Sequence, residues 1–278
     1  MKTIYWFINN PILLAFLTTY VLLFLCLDLI HIKSSKLQVN KKETLLSLKE
    51  FFLIGGIQAT LSLALIPVLD IFYPYRLQTL GMNSPIHWIT SWIFVDFIYY
   101  WIHRFLHHTK IGWSAHAPHH TLTQMTMLDG TRISWGEQPL GVITYGIPLV
   151  IFGVPPHIAG IFYLFIAFYQ FIVHTEINWH LGMLNKFIFT PAAHRVHHSK
   201  LREEADSNFG GFFIIWDKVF GTYKATSTKF KPHAYGLPSG EKPMTLRQVL
   251  TIEAKTFWMD SIKQNTKSKF RYWFTPPN

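Results

Sequence analysis

Residues 138–173 contain no Asp, Glu, Lys or Arg, an uncharged run of 36 positions. A helix on the surface of a soluble protein sets charged residues opposite its apolar stripe, and this run leaves no place for them. Shorter runs of the same kind precede it. Residues 4–27 give 24 uncharged positions, residues 51–69 give 19, and residues 86–102 are interrupted only by Asp96. About 20 apolar residues suffice for a helix to cross a bilayer, so each of these three runs is predicted to span a membrane once. The fourth is too long for one straight span, and it carries Gly153-Val154-Pro155-Pro156 near its middle. Glycine and proline there end one helix and start another, which predicts a hairpin of two short antiparallel helices. Composition agrees, with 14% of residues charged where soluble domains average about a quarter. The expected class is an all-α integral membrane protein with about four to five membrane helices, the hairpin included.

Charge gives the orientation. Lys33, Lys36, Lys41, Lys42 and Lys49 crowd the stretch between the first two runs, whereas residues 73–85 hold only Arg76. Positive residues stay inside, so the first loop is cytoplasmic and the second external. The third span then runs inward and delivers residues 103–137 to the cytoplasm, and the hairpin returns the chain to the same side. The net charge is +10, with 15 of the 25 Lys+Arg but only 7 of the 15 acids from residue 186 onward. Nucleic acid is not the expected partner, because no basic stripe or reader motif is present. The anionic cytoplasmic leaflet is. Cys26 is the only cysteine and lies in an apolar run, which excludes a disulfide framework and a thiolate metal site. Asp28, His31 and Lys33 stand where a signal peptide would place its small-residue cleavage site. The organisation expected is membrane helices over residues 1–85, a catalytic domain over 86–224 and a basic cytoplasmic tail over 225–278.

Fifteen histidines are present, and their spacing carries more than their number. His103 and His107 form an H-x3-H pair, while His116-Ala-Pro-His119-His120 and His194-Arg-Val-His197-His198 both read H-x2-H-H. On a helix, residues i, i+3 and i+4 share a face, so each cluster aims its imidazoles at one point. Pro118 inside the second cluster predicts that a helix starts there. Imidazole suits first-row transition metals, and eight ring ligands exceed the four that one zinc takes, which points to two metals in one cage. His174, in His174-Thr-Glu176-Ile-Asn178-Trp-His180, follows the last apolar run directly and is a candidate ninth ligand, with His180 a weaker one. His107 and His108 are adjacent, and His107, at i+4, aligns better with His103. His31, His87, His157 and His233 stand alone and are read as ordinary surface or core residues.

Asp96, Tyr100, His103 and His107 recur along one helical face. A carboxylate inside a span is costly and usually functional. Asp96 either accepts a hydrogen bond from a ligand imidazole, fixing its tautomer, or makes an interhelical hydrogen bond. A cage of nitrogen ligands facing a bilayer suits O₂ activation, the chemistry that breaks an unactivated C–H bond. A zinc peptidase would show H-E-x-x-H with its glutamate base, and none is present.

The stretch Asp96-Phe-Ile-Tyr-Tyr100-Trp-Ile-His103-Arg104-Phe-Leu-His107 resembles the opening motif of the sterol desaturase and fatty acid hydroxylase superfamily. The similarity continues through His116-Ala-Pro-His119-His120, His174-Thr-Glu176, Thr190-Pro191 and His194-Arg195-Val-His197-His198-Ser199. It closes with Asn208-Phe-Gly210 and Trp216-Asp217-Lys-Val-Phe220-Gly221-Thr222. Within the superfamily the His174-Thr-Glu176 and Trp216-Asp217-Lys-Val-Phe220-Gly221-Thr222 phrases look most like alkylglycerol monooxygenases and bacterial sterol-desaturase-like proteins.

The resemblance implies membrane helices capped by a cytosolic di-iron domain that uses O₂ and two external electrons. It implies metal ligation by His103, His107, His116, His119, His120, His194, His197 and His198, and by His174. Some relatives space the first pair H-x4-H, which would select His108. Thr121-Leu-Thr123 and Met125 to Leu128 depart from the Ser-Ser-Glu and polar residues that relatives often carry, near the expected substrate mouth. The expected substrate is a lipid, whether a sterol, fatty acyl chain, ether lipid or carotenoid, to be hydroxylated or desaturated. Zinc can replace iron in such a site. No haem-binding His-Pro-Gly-Gly and no G-x-G-x-x-G occur, so electrons are expected from a separate reductase, cytochrome, ferredoxin or pterin. A metal transporter is disfavoured because the spans carry little polar lining apart from Asp96, and a zinc hydrolase because the general base is missing.

Overall fold

The computed structural model describes residues 3, 6, 9–133, 137–201, 203–225 and 234–277, and these are helical, with no strand among them beyond two isolated bridges. The first long helix, α1 (Pro11–Ser34), places proline in its opening turn, where the missing N–H has no helical partner anyway. Its outer face leaves Phe16, Leu22, Leu23 and Ile30 exposed. Asn40 then caps α2 (Lys41–Glu50) by accepting from the amides of Lys42 and Glu43. That helix passes through a single π-turn, Phe51–Gly55, into α3 (Gly56–Phe72). The unbroken helix Lys41–Tyr75 is, among the described residues, the one long and apolar enough to cross a membrane by length and composition. The sequence places its first ten residues in a loop; the Asn40 cap and the apolar Leu45, Leu46 and Leu48 make them helical instead.

Helix α4 (Pro85–His108) contains the third apolar run, and Thr109 caps α5 (Lys110–His120) through the amide of Gly112. The long uncharged run forms two apolar helices, α6 (Pro139–Phe152) and α7 (Pro156–Ile172). Gly153, at φ +116°, ends the first. Pro155 and Pro156 open the second. Short helices α8 (Pro191–His197) and α9 (Ile215–Val219) follow. Within the segment read from its sequence as a basic tail, α10 (Leu246–Lys263) and α11 (Thr266–Trp273) form. Thr245 and Gln248 make a reciprocal capping box on α10. The segment is tied down where the Lys110 amide donates to Thr275 O at 2.9 Å.

Two buried apolar clusters organise the helices. One joins α3, α4, α6 and α7 through Leu69, Val95, Leu149, Val150, Phe162 and Ile166. The other joins the end of α7 to the segments around α8 and α9 through Tyr169, Ile172, Phe189, Ala193 and Ile214. Outside the bundle, Phe52, Ile57, Leu61, Leu63 and Ile71 are each at least half exposed. A row of exposed large apolar side chains along one helix is out of place in water and suits a lipid surround.

Candidate metal centre

Three helices and one helix end carry the imidazoles. Helix α4 buries Asp96, Tyr100, His103 and His107 along one face, as their spacing requires. Helix α5 ends in His116, His119 and His120. The expectation that Pro118 opens a helix is corrected here: α5 runs from Lys110 through Pro118, and the cluster occupies its last turn. A proline two residues from a helix end removes one amide donor while the rest of the ladder stands, so the fold tolerates it. Helix α8 starts with Thr190, whose hydroxyl accepts from the Ala193 amide, and Pro191, and carries His194, His197 and then His198. His174 stands directly beyond α7.

The nine imidazoles meet in two adjacent groups. His103, His107, His116, His120 and His197 form one, and His119, His174, His194 and His198 form the other, with ligand atoms within 4.8 Å of one another in each. Of the adjacent pair, His107 joins the first group, while His108 belongs to neither and lies against the Phe209 ring. His180 is exposed and outside both. His31, His87 and His157 are likewise apart, and His233 lies outside the described residues.

The hydrogen bonds around the cage determine which ring nitrogen faces inward. A carbonyl oxygen only accepts, so a ring nitrogen that bonds to one must carry the hydrogen. Nδ1 donates to Phe209 O from His103 (3.1 Å), to Ser207 O from His197 (2.9 Å), to Arg132 O from His119 (2.8 Å) and to Gln170 O from His174 (2.7 Å). His107 Nδ1 meets the Asp206 carboxylate at 3.3 Å. Each Nε2 is therefore a lone pair. Those of His103, His107 and His197 are buried without a hydrogen-bond partner, as are both ring nitrogens of His198. Nε2 of His119 lies 3.3 Å from Nε2 of His174, so two lone pairs face each other. A buried polar atom left unsatisfied costs about 1–3 kcal/mol, and these share one remedy, a cation that accepts several lone pairs at once. The residues fit a metal. Burial also keeps the rings neutral, the ligating form: the His197 ring is pushed down to about 3, and those of His120, His174, His194 and His198 lie well below the ordinary histidine value.

The imidazole hydrogen bond expected of Asp96 is absent. Its carboxylate accepts from the amides of Phe212 (2.5 Å) and Phe213 (3.1 Å) and from Trp216 Nε1 (2.8 Å). The two amides belong to irregular backbone packed beside α4, where Phe212 meets Trp92, and the indole belongs to α9. Gly211 permits this approach, since a Cβ there would stand 2.5 Å from Asp96 Oδ1. Asp96 reaches the cage only through this loop, a few residues beyond the Phe209 carbonyl that holds His103.

Residues 206–209 are the main outer support that the spacing of histidines does not reveal. Asp206, Ser207 and Phe209 together hold His107, His197 and His103, three of the five rings in the first group. Asp206 and Asn208 adopt left-handed backbone at φ +52° and +55°. Asn208 bonds to Ala193 O and to both backbone groups of Lys224. Asp217 accepts from the amides of Phe209 and Gly210 and from the Thr222 hydroxyl. The quoted Asn208 and Asp217 phrases carried that signal; Asp206 had none. The second group has its own support. Arg132 is buried, its carbonyl holds His119, and its guanidinium donates to Thr121 Oγ1 and lies 3.8 Å from buried Glu50. A Cβ at Gly130 would stand 2.6 Å from His174 Cβ, so glycine is needed at that contact.

A helical, apolar chain that folds nine imidazoles into two adjacent groups, eight of the nine buried, has the construction of a histidine-ligated metalloprotein. Residues 88–222 match the family model for fatty acid hydroxylase, and through them the chain belongs to the sterol desaturase and fatty acid hydroxylase superfamily. It is 38% identical to human alkylglycerol monooxygenase over 63% of this chain and 38% of that protein. It is 33% identical to alkylglycerol monooxygenase of Xenopus tropicalis over 79% of this chain and 49% of the relative. Ornithine lipid hydroxylase OlsE of Rhizobium tropici is 28% identical over 47% of this chain and 40% of the relative. The chain thus spans half or less of the length of these curated relatives. No solved structure matches.

Proposed function

We propose that this protein is an O₂-dependent di-iron membrane oxidoreductase that hydroxylates or desaturates a lipid, with residues 86–224 as its catalytic domain. The observation that carries the reading is the set of inward lone pairs: two buried groups of imidazoles, in which His103, His107, His119, His174 and His197 each commit Nδ1 outward and leave Nε2 facing the cage. His103, His107, His116, His120 and His197 would hold one iron, and His119, His174, His194 and His198 the other. Bound iron supplies the redox chemistry with O₂, and a separate reductase, cytochrome, ferredoxin or pterin supplies two electrons. Zinc would occupy the same nitrogens in overexpressed protein.

The chain's own residues prepare that site. The carbonyls of Phe209, Ser207, Arg132 and Gln170 keep a proton on Nδ1 of their rings and so keep Nε2 open for metal. Partners of this kind orient the ring and raise its basicity. The apolar shell of Phe189, Phe209 and Ile214 excludes water. The names of the relatives favour an ether lipid as the first substrate to test, ahead of sterols, fatty acyl chains and carotenoids. The topology proposed with this reading is multi-pass, with the histidines on the cytoplasmic side.

Purified protein loaded with iron, given ¹⁸O₂, an electron donor and a panel of these lipids, is expected to consume O₂. A hydroxylated product would carry one labelled oxygen; a desaturated product would carry none but would appear with stoichiometric O₂ loss. Metal content near zero in protein purified without chelator, or lipid turnover that continues without O₂, would reject the proposal.

A further inference from the structure

The metal-bearing half of the chain carries an exposed apolar surface that the imidazole cage does not use. The 3₁₀ turn Gly182–Lys186 and the residue after it present Met183, Leu184 and Phe187, at 79%, 55% and 51% exposure. Helix α9 lies alongside and presents Ile215 and Val219, four residues apart on one helical face, at 40% and 64%. The two segments form one unit. Ile188 and Phe213 make an antiparallel bridge, the Ile214 amide donates to Phe187 O at 2.9 Å, and Lys218 Nζ donates to Lys186 O.

The charges around this unit have one sign. Lys186, Lys218 and Lys224 are exposed at its rim. The acid within the two segments, Asp217, is fully buried and committed to the amides of Phe209 and Gly210. Its level along the fold is also defined. Trp216 and Phe220 pack on Phe97 and Trp101 of α4, at ring separations of 5.0 and 4.9 Å. Trp101 is half-exposed and precedes Arg104, the first Lys or Arg past the apolar run of α4, by three residues, which is about 4.5 Å of helix rise. The apolar surface therefore sits where α4 passes from its apolar run to its charged end, continuous with the exposed side of that helix. Aromatic side chains with lysines beside them are the usual residents of that depth.

We propose that this surface, Met183, Leu184, Phe187, Ile215 and Val219 with Lys186, Lys218 and Lys224, inserts into the headgroup region of the anionic cytoplasmic leaflet. The inference rests on the membrane reading above and extends it. The metal domain is then seated in the bilayer surface on its own account rather than only tethered by spans. Apolar side chains enter the acyl boundary while the lysines pair with lipid phosphates, an arrangement that strengthens with the fraction of anionic lipid.

Fluorophores placed singly at Met183→Cys, Val219→Cys, Leu61→Cys and Ser239→Cys, in a Cys26→Ala background, test it in proteoliposomes of phosphatidylcholine with or without phosphatidylglycerol. Positions 183 and 219 should be quenched severalfold more by lipid-attached nitroxides than position 239, and more so with phosphatidylglycerol. Lys186→Glu, Lys218→Glu and Lys224→Glu together should remove that gain and leave position 61 unchanged. Positions 183 and 219 open to a water-soluble quencher while position 61 stays in lipid would overturn the surface and leave the spanning reading intact. Shielding from both quenchers would assign it to a protein partner instead, which also overturns it. Water access at position 61 as well would remove the membrane reading and this one with it.

Discussion

At the scale of the residue, a buried imidazole with its Nδ1 committed to a carbonyl has one nitrogen left and, without metal, nothing to give it to. Burial lowers the proton affinity of His120, His194 and His198, and pushes the His197 ring down to about 3. In the unfolded chain the same rings titrate near 6.5. The folded value is the depressed one, so the stability involved is present above the unfolded pKa and lost as pH falls below it. Each ring that is charged only in the unfolded state removes about 1.4 kcal/mol per pH unit in that window. Metal-free protein should hold a nearly constant Tm above about pH 7 and lose it steeply between about pH 6.5 and 5, and bound metal should raise Tm without removing that loss, because metal-bound rings also carry no proton. A flat Tm for metal-free protein through the lower interval would contradict the burial of neutral rings.

At the scale of the element, the loop between α8 and α9 acts as a hand that holds one of the two imidazole groups. Asp217 fixes Phe209 and Gly210, and Asp96 fixes Phe212 and Phe213, on either side of Gly211. With α4 spanning as proposed, irregular backbone beside it needs such acceptors, because lipid offers none and each unsatisfied amide costs several kcal/mol. Asp217→Asn replaces one of two accepting oxygens by a donor, which unsettles the carbonyls that hold His103 and His197. Changes in the partners of ligands typically cost about 10–100-fold in metal affinity. Metal analysis after graded chelation should show Asp217→Asn losing the ion of the five-histidine group first while the four-histidine group keeps its own. Asp96→Asn, which acts from α4 on a later part of the same loop, should lower Tm more than it lowers metal content. Equal loss from both groups in Asp217→Asn would show that the loop acts on the fold as a whole and not on one group.

At the scale of the molecule, the proposed topology places the histidine end of the helical bundle in the cytoplasm. The stretch between α3 and α4 would then lie outside and the segment before α10 inside. In a Cys26→Ala background, Leu77→Cys, at an 81% exposed position, should react with a membrane-impermeant thiol reagent on intact cells. Ser239→Cys, also at an exposed position, should react only after the cytoplasmic side is opened. The reverse pattern would overturn the orientation and put the histidines out of reach of a cytoplasmic electron donor.

Local regularities were enough to read much of this protein from its residues alone. The i, i+3, i+4 spacing of His103/His107, His116/His119/His120 and His194/His197/His198 puts each cluster on one face of its own helix, whatever the rest of the fold does. The same holds for the hairpin at Gly153, where a positive φ and two prolines act within a few residues. His107 over His108 also follows from helical geometry. What periodicity cannot supply is the partition of nine rings into groups of five and four, which splits α5 itself, sending His116 and His120 one way and His119 the other. That division depends on how α4, α7 and α8 approach α5, and on carbonyls, which every residue has and no sequence marks. Pro118 misled for a related reason: two residues from the end of α5 it removes a single amide donor, so the helix that Thr109 caps runs on through it. Asp96 shows the same limit, because a carboxylate on the ligand face of a helix can serve a ring or a backbone, and only the packing of Phe212 against Trp92 decided that it serves the backbone.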